Sequence, residues 1–127
     1  MVKRSKTRVA LRTLGCRANQ YDAELMKERL RERFELVAPE EGADIYIVNT
    51  CTVTARAEAK ARQYIHSYAR RGLVLVTGCW ATVAPEEVAA IDGPGLIFNN
   101  AARLQVRQLV EGALAGRRGI VTPAPNG

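Results

Sequence analysis

Two continuous apolar runs limit what this chain can fold into more than any other feature. They lie within the strings ADIYIVN at 43–49 and LVLVTG at 73–78. An uninterrupted apolar run of this length is typical of a strand that is buried on both faces, as strands are in a parallel sheet. A segment with helical periodicity follows each run, so strand and helix alternate. We therefore predict an α/β fold.

The remaining segments continue this alternation. Shorter apolar segments at 9–14, 34–38 and 96–98 predict three more strands, and helical patterns cover 21–33, 53–71, 85–91 and 102–113. Asn19 is the expected N-cap of the first helix. The expected architecture is a three-layer sandwich, flavodoxin-like or Rossmann-like, with a parallel sheet of about five strands. In the common doubly wound strand order 2-1-3-4-5, the first, third and fourth strands are neighbours.

Three cysteines follow three of the predicted strands, each where a strand ends. Cys16 follows the first strand, Cys51 follows 43–49, and Cys79 follows 73–78. The carboxyl ends of parallel strands share one edge of the sheet, where open α/β folds bind their ligands. Each cysteine also leads into a predicted helix, whose N–H groups and dipole stabilise a thiolate. We expect the three thiols to converge on one site.

The number and spacing of the cysteines restrict the chemistry of that site. Three is an odd number and no close C-x-x-C pair is present, which disfavours a disulfide framework, a zinc ribbon and a thioredoxin motif. Structural zinc takes four ligands, and the sole histidine, His66, lies in the middle of a predicted helix. An iron–sulfur cluster suits three thiolates better. The alternative is that each cysteine is simply a small buried hydrophobe.

Polar residues and glycines beside the cysteines are candidates for a supporting role. The polar side chains could hydrogen-bond cluster sulfurs or fix the loops, and the glycines permit tight turns with close backbone approach. Helix capping and turn formation are the alternative explanation. The candidates are Gly15, Asn19, Gln20, Asn49, Thr50 and Gly78.

Basic residues outnumber acidic ones by 19 to 13, a formal charge of +6 that favours polyanionic partners. One group lies at the start of the chain and another along the second long helix, although either could be a solvated surface. Trp80 could shield the site, stack on a base or simply pack. The basic candidates are Lys3, Arg4, Lys6, Arg8, Arg56, Lys60, Arg70 and Arg71.

No segment resembles a secretory signal or has the roughly 18 apolar residues that a membrane span needs. We therefore expect a cytoplasmic protein without membrane contact. In that compartment thiols are normally kept reduced, which favours metal or redox chemistry for the cysteines.

Three strings carry a resemblance to a known family. TLGCRANQYDAE at 13–24, ADIYIVNTCTVTARAEAKARQ at 43–63 and VTGCWA at 76–81 resemble the N-terminal, UPF0004-type domain of the radical-SAM methylthiotransferases. NTCTVT is most similar to the branch that forms 2-methylthio-N6-threonylcarbamoyladenosine at tRNA position 37. The resemblance implies that Cys16, Cys51 and Cys79 hold an auxiliary [4Fe–4S] cluster whose open iron carries the sulfur to be transferred.

The resemblance also sets expectations about the rest of the enzyme. It implies tRNA as substrate, with a second [4Fe–4S] cluster and S-adenosylmethionine bound only in the full-length enzyme, through a C-x-x-x-C-x-x-C motif that this sequence lacks. We expect 1–116 to be the cluster-binding domain and 117–127 a linker towards radical-SAM and RNA-binding domains, so that the chain alone is inactive. The alternatives are a non-catalytic flavodoxin-like binding module and a zinc or thiol-redox protein.

Overall fold

A computed structural model describes residues 7–14, 17–50, 55–99, 102 and 105–121, with the backbone alone at 17–19, 22 and 79. Its middle layer is an entirely parallel sheet of six strands in the order β2-β1-β3-β4-β5-β6. The strands are β1 (Arg8–Thr13), β2 (Glu35–Val37), β3 (Ile45–Thr50), β4 (Leu73–Gly78), β5 (Leu96–Phe98) and β6 (Gly119–Val121). This confirms the predicted α/β fold class, with the first, third and fourth strands adjacent.

Helices cover both faces of the sheet. They are α1 (Arg17–Arg31), α2 (Ala55–Ala69), α3 (Cys79–Val83), α4 (Pro85–Ala89) and α5 (Val106–Leu114), and a short 3-10 helix covers Pro39–Glu41. Alternate strand residues point to opposite sides. Val9, Ile45 and Leu75 pack with α1 and α5 on what we call the α1 face. Tyr46, Val48 and Val76 pack with α2, α3 and α4 on the α2 face.

The burial of the central strands explains why they were the clearest signal in the sequence. Every residue of β3 is buried, as are the last five residues of β4. Both strands lie between two hydrogen-bonded neighbours and under helices on both faces. They therefore need apolar side chains on both sides and show no period-2 alternation.

The sheet differs slightly from the prediction of about five strands, because its described part contains a sixth strand. β6 pairs with β5 through Gly119, Ile120 and Val121. It has three residues at the edge of the sheet, and two of them are exposed. Such a strand is too short to produce a hydrophobic period. The sheet thus extends into residues 117–127, the range that we expected to be a linker.

Two helix boundaries also differ from the sequence prediction. α1 begins at Arg17, so Asn19 lies inside the helix and is not its N-cap. Arg17 and Ala18 are good helix formers, which allows the earlier start. The unpredicted α3 precedes α4, and the two are separated at Ala84. Pro85 has no N–H and restricts the residue before it, so one helix ends there and the next begins.

No helix in the described part of the chain is long and apolar enough to cross a membrane.

Candidate functional site

On the α1 face, the side chains of the three central strands form rows across the sheet. The strand register gives the rows Val9–Ile45–Leu73, Leu11–Ile47–Leu75 and Thr13–Asn49–Thr77. The first two rows are apolar and pack in the core. The third is polar, and it lies at the carboxyl ends of the strands, where the segments containing the cysteines begin. The face therefore changes from hydrophobic to polar at the predicted site.

The residues that precede the three cysteines lie side by side at this edge. Thr50 pairs with Gly78, and each directly precedes a cysteine in the sequence. The N–H of Leu14, two residues before Cys16, donates to the carbonyl oxygen of Asn49 at 2.9 Å. The ends of β1, β3 and β4 thus form one continuous edge.

Several predicted site residues fall partly or wholly outside this description. Gly15, Cys16 and Cys51 lie outside the described residues. Asn19 in α1 and Cys79, the first residue of α3, are described by their backbone only. The convergence of the three thiols therefore stays a prediction.

Thr50 joins the ends of two strands to the start of a helix. Its buried hydroxyl donates to the carbonyl oxygen of Thr77 at 2.8 Å and accepts from the N–H of Trp80 at 3.2 Å. One side chain therefore bonds β3 to both β4 and the first turn of α3. Thr50 immediately precedes Cys51 in the sequence, and Thr77 and Trp80 flank Gly78 and Cys79. This contact therefore fixes the end of β3 relative to the start of α3.

Gly78 allows β3 and β4 to approach closely at the same place. Its φ is 103°, in the region that disfavours residues with a side chain. A Cβ here would lie 2.2 Å from the carbonyl oxygen of Thr50 and 2.6 Å from its nitrogen. Both atoms belong to the backbone and cannot swing away. Glycine is thus required by the conformation and by the contact.

The polar row contains one hydroxyl without a partner. Asn49 and Thr77 are each only 1% exposed. Among the side chains that the structure describes, the Oγ1 of Thr77 is the buried polar atom that makes no hydrogen bond. An unpaired buried hydroxyl costs free energy and in a native protein calls for an explanation. A donor in this position fits an anionic, sulfur-rich group at the adjacent edge.

Trp80 occupies the core and is not available for base stacking. Its ring is 2% exposed, and its Nε1–H donates to the Oε1 of Glu87 at 3.2 Å. The guanidinium carbon of Arg62 lies 5.6 Å from the ring centroid, within cation–π range. The stacking role considered from the sequence is therefore wrong, and Trp80, in the first turn of α3, packs on the α2 face.

The other sequence candidates lie at the surface. Gln20 is exposed and, with Thr13 and Tyr21, lines a cleft of about 480 Å³ beside the end of β1. His66 is also exposed. The basic residues Arg8, Arg56, Lys60, Arg70 and Arg71 are all exposed, whereas Lys3, Arg4 and Lys6 lie outside the described residues.

The side chains that the structure describes contain no group of three or more His, Cys, Asp or Glu that could hold a metal.

An aromatic and ionic cluster on the α2 face was missed from the sequence. The Nε of Arg12 donates to the hydroxyl of Tyr68 at 3.0 Å, and its NH2 group lies 2.9 Å from Glu40. The same guanidinium lies 4.7 Å from the ring centroid of Tyr64, and the Tyr68 ring stacks on Tyr46 at 4.6 Å. The i, i+4 spacing of Tyr64 and Tyr68 was the available signal.

Two ionisable groups of this cluster are perturbed. The pKa of Arg12 is raised, chiefly by its hydrogen bond to Tyr68. The pKa of Glu40 is lowered, first by a backbone N–H hydrogen bond and then by Arg12. Both shifts favour the charged forms, which stabilises the ion pair on the surface.

Comparison with known proteins assigns residues 8–98 to Uncharacterized protein family UPF0004. The chain is 38% identical over 114 residues to the threonylcarbamoyladenosine tRNA methylthiotransferase MtaB of Aquifex aeolicus (strain VF5), covering 87% of this chain and 28% of that protein. Identity to MtaB of Bacillus subtilis (strain 168) is 38% over 99 residues, covering 75% and 22%.

The ribosomal protein uS12 methylthiotransferase RimO of Geobacter sulfurreducens is also similar, with 38% identity over 92 residues, covering 67% of this chain and 21% of that protein. The chain thus spans between about a fifth and under a third of the length of these relatives. The family match covers most of the chain, including the ends of β1, β3 and β4. The chain belongs to the UPF0004 family and is similar to methylthiotransferases, which confirms the resemblance found in its sequence.

Proposed function

We propose that this chain is the cluster-binding N-terminal domain of a tRNA methylthiotransferase, in which Cys16, Cys51 and Cys79 hold an auxiliary [4Fe–4S] cluster. The observation that carries the proposal is the register of β1, β3 and β4, which aligns the residues before all three cysteines at one edge of the sheet. Adjacent strands lie about 4.8 Å apart. Thiols that follow three adjacent strand ends in the sequence would be within reach of one small cluster.

The local structure supports a rigid site of this kind. Thr50 and Gly78 hold the segments before Cys51 and Cys79 together. The polar row beneath the edge supplies buried hydrogen-bonding groups. When bound, a cubane held by three cysteines offers one iron without a protein ligand, to which the sulfur for transfer can bind.

We propose the threonylcarbamoyladenosine branch as the parent enzyme, acting on tRNA position 37. Two of the relatives described above are named as threonylcarbamoyladenosine tRNA methylthiotransferases, and one is named for ribosomal protein uS12. A tRNA substrate places the function in the cytoplasm and suits the net charge of +6.

All three cysteines of the chain are assigned to this one site. The second cluster and S-adenosylmethionine of a radical-SAM reaction therefore need ligands from outside these 127 residues. We expect no turnover from the chain alone.

The test is anaerobic reconstitution of the purified chain with iron and sulfide, followed by iron analysis and by visible and electron paramagnetic resonance spectra. We expect about four irons per chain and a brown protein. Cys16→Ala, Cys51→Ala and Cys79→Ala should each lose the cluster. His66→Ala is the matched control, because it removes the sole histidine from an exposed position on α2.

The other outcomes identify the alternatives. A colourless protein that takes up neither iron nor zinc would be an α/β binding module with incidental thiols. Zinc uptake without broad visible absorption would indicate a zinc or thiol-redox protein.

A further inference from the structure

We propose that the hydroxyl of Thr77 donates a hydrogen bond to a sulfur of the bound cluster or of a ligating cysteine, and that this bond raises the reduction potential of the cluster. The inference rests on the proposed cluster site. It adds a residue that does not bind iron and that was not a candidate from the sequence.

The first argument is the position of Thr77 in the sheet. Leu75, two residues earlier on β4, packs in the core of the α1 face. Strand alternation places the Thr77 side chain on the same face, next to Asn49 in register. Thr77 is two residues before Cys79, and Asn49 is two residues before Cys51. The hydroxyl thus lies on the α1 face, one residue before the carboxyl end of β4.

The second argument is that this hydroxyl lacks a partner. Thr77 is 1% exposed, and within the described residues its Oγ1 makes no hydrogen bond. Its carbonyl oxygen accepts a hydrogen bond from the hydroxyl of Thr50, so the missing partner concerns the side chain and not this carbonyl. Valine has nearly the same shape and suits a buried strand. A threonine hydroxyl that makes no hydrogen bond within the described residues is best explained by an acceptor that those residues do not supply.

The third argument is the chemistry of the acceptor. The sulfides and thiolates of an iron–sulfur cluster carry negative charge and accept hydrogen bonds. Such bonds stabilise the reduced, more negative state and so raise the potential. At a buried strand end the effect is large, because little water is present to screen it.

The experiment compares Thr77→Val with Thr77→Ser in the reconstituted chain. The midpoint potential is measured by redox titration with electron paramagnetic resonance, and iron analysis verifies loading. In Thr77→Val we expect a lower potential, with reduction about tenfold less favourable, which corresponds to about 59 mV for one electron. Thr77→Ser keeps the hydroxyl and should stay near the wild type. Thr7→Val is the matched control, because Thr7 directly precedes β1 at the amino end of the strand, opposite the proposed site.

Each outcome decides the proposal. Equal potentials in loaded wild type and loaded Thr77→Val overturn it, since the hydroxyl then bonds water or another protein group. If Thr77→Val does not load, loading of Thr77→Ser supports the hydrogen bond, whereas failure of both shows a packing role and overturns it. A wild-type chain that takes up no iron overturns the proposed function as well, which distinguishes the two failures.

Discussion

Near the carboxyl ends of the strands, the two faces of the sheet treat their polar groups in opposite ways. On the α2 face, Arg12 bonds Tyr68 and Glu40 and lies against Tyr64. On the α1 face, Thr77 is buried and its hydroxyl has no partner within the described chain. Polar groups that are satisfied inside the chain contribute to its stability. An unsatisfied buried group lowers stability, and a ligand that supplies the missing hydrogen-bond partner accounts for its presence.

The close approach of β3 and β4 at Gly78 and Thr50 gives the largest expected effect. Gly78→Ala forces a side chain into a positive-φ position and against the backbone of Thr50. We expect the free energy of unfolding to fall by about 3 kcal/mol or more, as strain and overpacking add. Urea denaturation followed by circular dichroism measures the loss.

Gly116→Ala separates the two causes in this experiment. Gly116 has a φ of 111°, but a Cβ there meets nothing within 4 Å. Its substitution should therefore show the conformational cost alone. Equal losses at both positions would show that the close approach of β3 and β4 is unimportant.

Removing one hydroxyl from each face should change stability in opposite directions. Thr77→Val removes an unpaired buried hydroxyl, so the cluster-free chain should gain about 1 kcal/mol. Tyr68→Phe keeps the ring stacking but removes the acceptor of the Arg12 hydrogen bond, so the chain should lose about 1–2 kcal/mol. Denaturation under reducing, iron-free conditions gives both values. A destabilised Thr77→Val chain would contradict the contrast between the faces.

The smallest effect concerns the exposed ion pair. In the folded chain, the pKa of Glu40 is lowered from its ordinary value of 4.5. The pair therefore contributes its full stability above pH 4.5 and loses it as the pH falls through the lowered pKa. Glu40→Gln should melt at a slightly lower temperature than wild type near neutral pH, and this difference in melting temperature should disappear in acid.

Glu28→Gln, at an exposed position on α1, is the matched control for this pH series. If the difference in melting temperature between Glu40→Gln and wild type does not change with pH, the Arg12–Glu40 pair makes no measurable contribution to stability.

The sequence was most informative where burial was complete. The runs in β3 and β4 predicted central parallel strands because both their faces pack under helices. β6 was missed because a three-residue edge strand has too little buried surface to leave a pattern. α3 was missed because its five residues form a single turn and a half that is set by the contacts of Trp80 and by Pro85.

The adjacency of the three strands that precede the cysteines was predictable, and the register of β1, β3 and β4 confirms it. The convergence of the cysteines themselves stays a prediction. The role of Thr50 depends on a bond to a residue 27 positions away, which no local pattern reveals. Thr77 could not be identified at all, because an absent hydrogen bond is visible only once the partners around it are known.

The two hydrogen bonds made by the Thr50 hydroxyl have a consequence for how the site can vary. The separation between the end of β3 and the start of α3 is set by Thr50 and by Gly78, which faces it. Substitutions at residues beyond these two leave that separation unchanged. A substitution of Thr50 or Gly78 changes it and so displaces both strand ends.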